Sequence, residues 1–93
     1  MITETEITEL KTRFAEMLEE DYCTGGDPDD IVRTADSANG FAESCREYRK
    51  IDTDTFEGHS LTIIEASQRF KGEARRDVYV LEVEENISLV YAS

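Results

Sequence analysis

Glu6, Glu9, Arg13, Glu16 and Glu20 follow one another at spacings of 3, 4, 3 and 4. On an α-helix that spacing gives one continuous face, acidic except for a single arginine. Glu19, Asp21, Asp27, Asp29 and Asp30 carry the negative field past the helix end, so residues 1–30 hold ten acids and two bases. Carboxylates a helical turn apart, about 5.4 Å, approximate the spacing of backbone phosphates. Such a surface can occupy the basic cleft of a nucleic-acid-binding protein and be drawn there by electrostatic steering. The candidate partner-binding residues are therefore Glu6, Glu9, Glu16, Glu19, Glu20, Asp21, Asp27, Asp29 and Asp30. The competing reading is a solvated helix face, the usual role of a charge run.

Other chemistries find less to work with. An EF-hand needs ligands at loop positions 1, 3 and 5, glycine at 6 and glutamate at 12. Counted from Asp52, position 5 is Phe56 and position 12 is Ile63; counted from Asp27, position 12 is Ala38. Zinc is disfavoured, because His59 is the only histidine and Cys23 and Cys45 form no CxxC pair. His59 is also the only imidazole that could activate Cys23, Cys45 or Ser60, and neighbouring side chains in an extended segment point apart. Gly25-Gly26 precedes a helix start, but Asp27, Asp29 and Asp30 would repel a phosphate there. No catalytic residue, metal or cofactor is expected. Arg69, Lys71, Arg75 and Arg76 flank one turn and read as a solubilising hairpin tip.

The elements that position these residues are written in the apolar periods. Ile7, Leu10, Phe14, Met17 and Leu18 line one side of a helix from Thr3 to about Tyr22. Thr3 and Glu6 fit a capping box at its start, and Gly25-Gly26 is the expected stop. Asp27-Pro28-Asp29-Asp30 opens a second, short helix that includes Ile31, Val32 and Ala35. Asn39-Gly40 predicts a break. A third helix follows, with Phe41, Ala42, Cys45 and Tyr48 on one side and Arg46, Arg49 and Lys50 in its last turn.

Residues 51–59 read as a polar connection. The period then becomes extended, predicting strands at Leu61–Ala66, Val78–Val83 and Ile87–Tyr91 joined by short turns at Lys71–Ala74 and Glu84–Asn86. The middle strand is apolar on both faces, which suits a central position, with its neighbours as edges. The expected fold is α+β, one long and two short N-terminal helices on one face of a three-stranded antiparallel meander.

Ninety-three residues suit one domain, 1–93. With 22 acids against 10 bases the net charge is −12, which opposes direct binding to nucleic acid or an anionic membrane. The chain holds no apolar stretch of about 20 residues. Its acidic start lacks the marks of a signal peptide, so a cytoplasmic setting with Cys23 and Cys45 as thiols is expected.

Helices followed by an antiparallel meander resemble the NTF2-like cone folds. That resemblance implies a small-ligand pocket, even an enzyme's, lined by Tyr48, Tyr79 or Tyr91 with an inward acid. The reading carried forward is a small acidic inhibitor or nucleic-acid mimic that blocks a basic protein surface. Toxin-immunity and phage anti-defence proteins act in this way. The NTF2-like pocket and a homodimer paired through a sheet edge are its alternatives.

Overall fold

The computed structural model describes residues 1–67 and 75–93. Among them the order is α1 (Glu4–Tyr22), a 3₁₀ turn (Pro28–Asp30), β1 (Val32–Thr34), α2 (Ala38–Ser44), β2 (Glu47–Phe56), β3 (His59–Ser67), β4 (Arg75–Glu84) and β5 (Ile87–Ala92). The five strands form one antiparallel sheet in the order β1-β5-β4-β3-β2. The α+β class holds. The three-stranded meander with three helices does not: β1 and β2 border the sheet, and two α-helices take the place of three.

α1 follows its sequence signals closely. Thr3 Oγ1 accepts from the Glu6 N–H at 3.1 Å, and Glu6 Oε1 accepts from the Thr3 N–H at 3.2 Å, which completes the capping box. The stop comes earlier than Gly25. Cys23 itself takes the left-handed conformation at φ 55°, with its N–H on the Leu18 carbonyl. Gly25 and Gly26, at φ 75° and 101°, then turn the chain back along the helix.

Ile7, Leu10, Phe14, Ala15 and Leu18 are buried against one face of the sheet, with Leu61, Ile63, Tyr79, Leu81 and Leu89 beneath them. The alternate side chains of the same strands (Ile64, Ala66, Val78, Val80 and Val90) pack on Ala38 and Ala42 of α2. The helices therefore lie on opposite faces, not on one. β4 is central as its two-sided apolar pattern predicts, but its neighbours β3 and β5 are interior strands too.

The remaining differences fall where polar residues carry the structure. Asp27 does cap a helical start, accepting from the Asp29 N–H at 2.9 Å, but one 3₁₀ turn suffices before Ile31 becomes extended. Val32 then pairs with Val90 in β1. Asn39-Gly40 is no break: Ser37 caps α2 through the Gly40 N–H at 3.1 Å, so both lie in its first turn. α2 ends at Ser44, and Arg49 and Lys50 belong to β2, where they pair with Glu65 and Ile64. The expected connection from 51 to 59 is the rest of β2, a two-residue turn and the first residue of β3. Glu57 and Gly58 both have positive φ, 51° and 79°, as a type I′ hairpin requires. The predicted turn at Lys71–Ala74 lies outside the described residues, as do Arg69 and Phe70.

Candidate partner-binding surface

Because Phe14, Leu10 and Leu18 hold α1 to the sheet, Glu9, Glu16 and Glu20 project from its far side into solvent. None of the three has an ion pair or side-chain hydrogen bond among the described residues. The interrupting cation does have one. Arg13 turns to the β2–β3 turn and grips Glu57 with two bonds, Nε to Oε2 at 2.7 Å and Nη2 to Oε1 at 2.9 Å. The pair holds the Glu57 carboxyl below the usual carboxylate range and Arg13 above its own. A fork-to-fork pair of this kind ties Arg13 to Glu57, while its guanidinium stays half-exposed and still feels Glu9.

The structure sorts the other candidate acids into two groups. Glu6 is committed to the cap, and its bonds with Thr3 pull its carboxyl down. Asp27 is committed likewise to the 3₁₀ turn. Glu19, Asp21, Asp29 and Asp30 are exposed and make no ion pair among the described residues. Glu19 lies over Gly26, where a Cβ would meet its carboxylate. The 3₁₀ turn packs on α1, which places Asp29 and Asp30 beside the helix.

Two further acids, in a stretch whose sequence reads as a loop, lie toward the end of α1. Asp52 and Asp54 stand on β2 opposite Ile63 and Leu61, on the α1 face of the sheet. Tyr22, at the end of α1, donates to Asp54 Oδ2 at 3.4 Å. Burial, reinforced by Asp54 and Asp52, pushes the Tyr22 hydroxyl above its ordinary pKa; burial does the same for Tyr79, 5.2 Å away ring to ring. The alternation Asp-Thr-Asp-Thr was the available signal, since β-branched residues at every second position suit an exposed strand.

The other candidate groups are dispersed. Tyr79 and Tyr91 touch on the α1 face, whereas Tyr48 stands opposite Ala66 on the α2 face, so the three tyrosines line no common pocket. Cys23 and Cys45 are free thiols that cap different helices. Cys45 donates to the Phe41 carbonyl at 3.4 Å and burial pushes its pKa up, opposite to the activation a nucleophile needs. Arg75 bonds Glu47 at 3.0 Å and Glu65 at 3.1 Å, so it is a member of an ion-pair network rather than a free tip.

A cleft of about 390 Å³ beside α2 adds more acid, with Asp36, Glu82, Glu84 and Glu85 on its walls. Two of these are engaged: Glu82 accepts from the Ala38 N–H at 3.3 Å and Glu84 from the Ile2 N–H at 2.6 Å. Among the described residues no three His, Cys, Asp or Glu side chains are placed to hold a metal ion. Among the same residues no helix is long and apolar enough to cross a membrane. Comparison of the chain with protein-family models, curated proteins and solved structures returns no match.

Proposed function

We propose that this chain is a small acidic binding protein whose α1 surface docks onto a basic surface of a partner protein. In that position it blocks the site the partner uses for nucleic acid, as an inhibitor of the immunity or anti-defence kind, in a cytoplasmic setting. One observation carries the reading. Glu9, Glu16, Glu19, Glu20, Asp29 and Asp30 are each exposed without a cationic partner among the described residues, while Arg13, the cation in the α1 row, is bound by Glu57. A fold under pressure only to stay soluble gains from interspersed signs; here the one cation of the row is engaged by Glu57.

The test is capture from a host lysate with three forms of the protein. The first is the wild type. The second reverses Glu9, Glu16 and Glu20 to lysine. The third reverses Asp36, Glu43 and Glu85, exposed acids away from α1 that make no ion pair among the described residues. Both variants move the net charge from −12 to −6. The proposal expects a partner retained by the wild type and the third form, lost by the second, and released by salt. Equal retention by all three, or equal loss from both variants, overturns it.

A further inference from the structure

β2 is ten residues long and borders the sheet, so its outer edge has no strand beside it among the described residues. The opposite border, β1, is only three residues. β2 is exposed from Glu47 to Thr55, and Tyr48 and Ile51 are 50% and 47% exposed. Its charges are nearly balanced. Within a molecule of net charge −12, residues 46–56 are neutral: Arg46, Arg49 and Lys50 against Glu47, Asp52 and Asp54. Arg49 and Lys50 precede Ile51, and Asp52 and Asp54 follow it.

The bulge between Lys50 and Asp52 makes this arrangement self-complementary. Two strands related by a two-fold axis perpendicular to a sheet oppose only residues that share a face. In a regular strand, positions 49 and 54 lie on opposite faces. The extra residue at the bulge shifts that parity: Arg49 stands opposite Glu65 and Asp54 opposite Leu61, both on the α1 face.

We propose that two copies of this chain pair antiparallel through β2, joining two five-stranded sheets into one, with Arg49 of each copy beside Asp54 of the other. In that register Lys50 faces Thr53, Tyr48 faces Thr55 and Glu47 faces Phe56, and the members of each pair share a face. The outer edge supplies the ladder once the Thr53 and Thr55 N–H groups, each held at 2.8 Å by the carboxylate of the preceding aspartate, exchange that bond for a carbonyl of the second copy, and the side-chain pairs set the register. Lysine, charge and a bulge on an edge are also the means by which sheets avoid stray pairing. On β2 they repel most partners while matching a second copy of themselves. Pairing β2 to β1 instead would run on without closing and would use a ladder of only three residues. Because pairing preserves the faces, both α1 helices would lie on the same side of the joined sheet. The inference stands independently of the binding reading above.

Sedimentation equilibrium over a concentration series tests it. The wild type is expected to reach twice the 10.6 kDa chain mass. Arg49→Glu and Asp54→Arg should each weaken the dimer about tenfold, since each places two like-charge contacts at the interface. Mixing the two variants, or combining both changes in one chain, should restore it, because each arrangement returns both opposite-charge pairs. Circular dichroism checks that each variant folds. If either does not, hydrogen exchange of the wild type at low and high concentration decides, with protection of residues 47–55 expected to rise with concentration. A chain that stays monomeric to about 1 mM, a dimer indifferent to both reversals, mixed variants that fail to associate, or unchanged protection of β2 each overturns the proposal.

Discussion

Replacing Phe14 by alanine removes the ring that joins α1 to the sheet. Phe14 is completely buried and its ring centre lies 6.1 Å from that of Phe56. Transfer of the ring to water costs about 2 kcal/mol. A residual cavity of roughly 100 Å³ at about 24 cal/mol per Å³ adds about 2 kcal/mol more. The expected loss is therefore about 4 kcal/mol, within the range of about 3–5 kcal/mol usual for buried Phe→Ala changes. A chain of 93 residues at roughly 0.05–0.15 kcal/mol per residue has about 5–14 kcal/mol in total, so the variant would be marginal. Its Tm should fall by roughly 16–30 °C.

Urea titration followed by far-ultraviolet circular dichroism measures the loss, with an unchanged m value showing that the unfolded reference is intact. Val32→Ala, at a side chain 58% exposed, is the control and should cost less than about 0.5 kcal/mol. A cost below about 1 kcal/mol for Phe14→Ala would refute the placement of α1 on this face.

Other outcomes follow from individual groups. Arg13 holds the Glu57 carboxyl below its unfolded pKa, and Thr3 does the same for Glu6. Their contributions are full above the unfolded carboxylate range near pH 4.5 and are lost as pH falls through the lower folded values. Thermal melts should therefore weaken below about pH 5, and Arg13→Ala should flatten Glu57's share of that slope with only a small loss at pH 7. Tyr22 and Tyr79 are pushed above the ordinary tyrosine range, so absorbance at about 295 nm should show part of the tyrosine titration delayed beyond pH 10; normal titration of all four would contradict the packing of α1's last turn. Gly58→Ala should cost about 1 kcal/mol through its φ of 79° alone, because a Cβ there meets nothing within 4 Å. Gly26→Ala should cost more, since Glu19 must also move.

The parts of the fold readable from the chain are those in which burial writes a period. α1 carries both an apolar stripe and its own cap, and the cores of β3, β4 and β5 alternate or run apolar as buried strands do. Val78 and Val80 beside Tyr79 and Leu81 already implied that β4 is covered on both sides. The covering of its second face is inconspicuous because α2 does it with Ala38 and Ala42, small residues that leave almost no hydrophobic signal.

β2 was illegible for the opposite reason. It is an exposed edge whose stability comes from its ladder with β3, so Glu-Tyr-Arg-Lys-Ile-Asp-Thr-Asp-Thr shows no apolar alternation. Arg46, Arg49 and Lys50 suit the end of a helix dipole equally well, and only the Asp-Thr-Asp-Thr alternation and the Glu57-Gly58 turn pointed to a hairpin. Of the acidic surface, the row on α1 was legible from spacing. The Arg13–Glu57 pair was not, because it joins residues 44 apart in the chain. Asp52 and Asp54 were missed together with the strand that carries them.

The central claim is that recognition resides in the acidic surface of α1 and not in net charge. The rate at which the captured partner associates with the three forms, followed by stopped flow as salt is raised, tests it most directly. Screening shortens the Debye length from about 10 Å at 0.1 M to about 3 Å at 1 M, so steering by a local surface should fade over that range. The account predicts a steep fall of the wild-type association rate with salt, a similar fall for the Asp36, Glu43 and Glu85 reversal, and a slow, salt-indifferent rate for the Glu9, Glu16 and Glu20 reversal. Indistinguishable rates and salt slopes for the two reversals would contradict it.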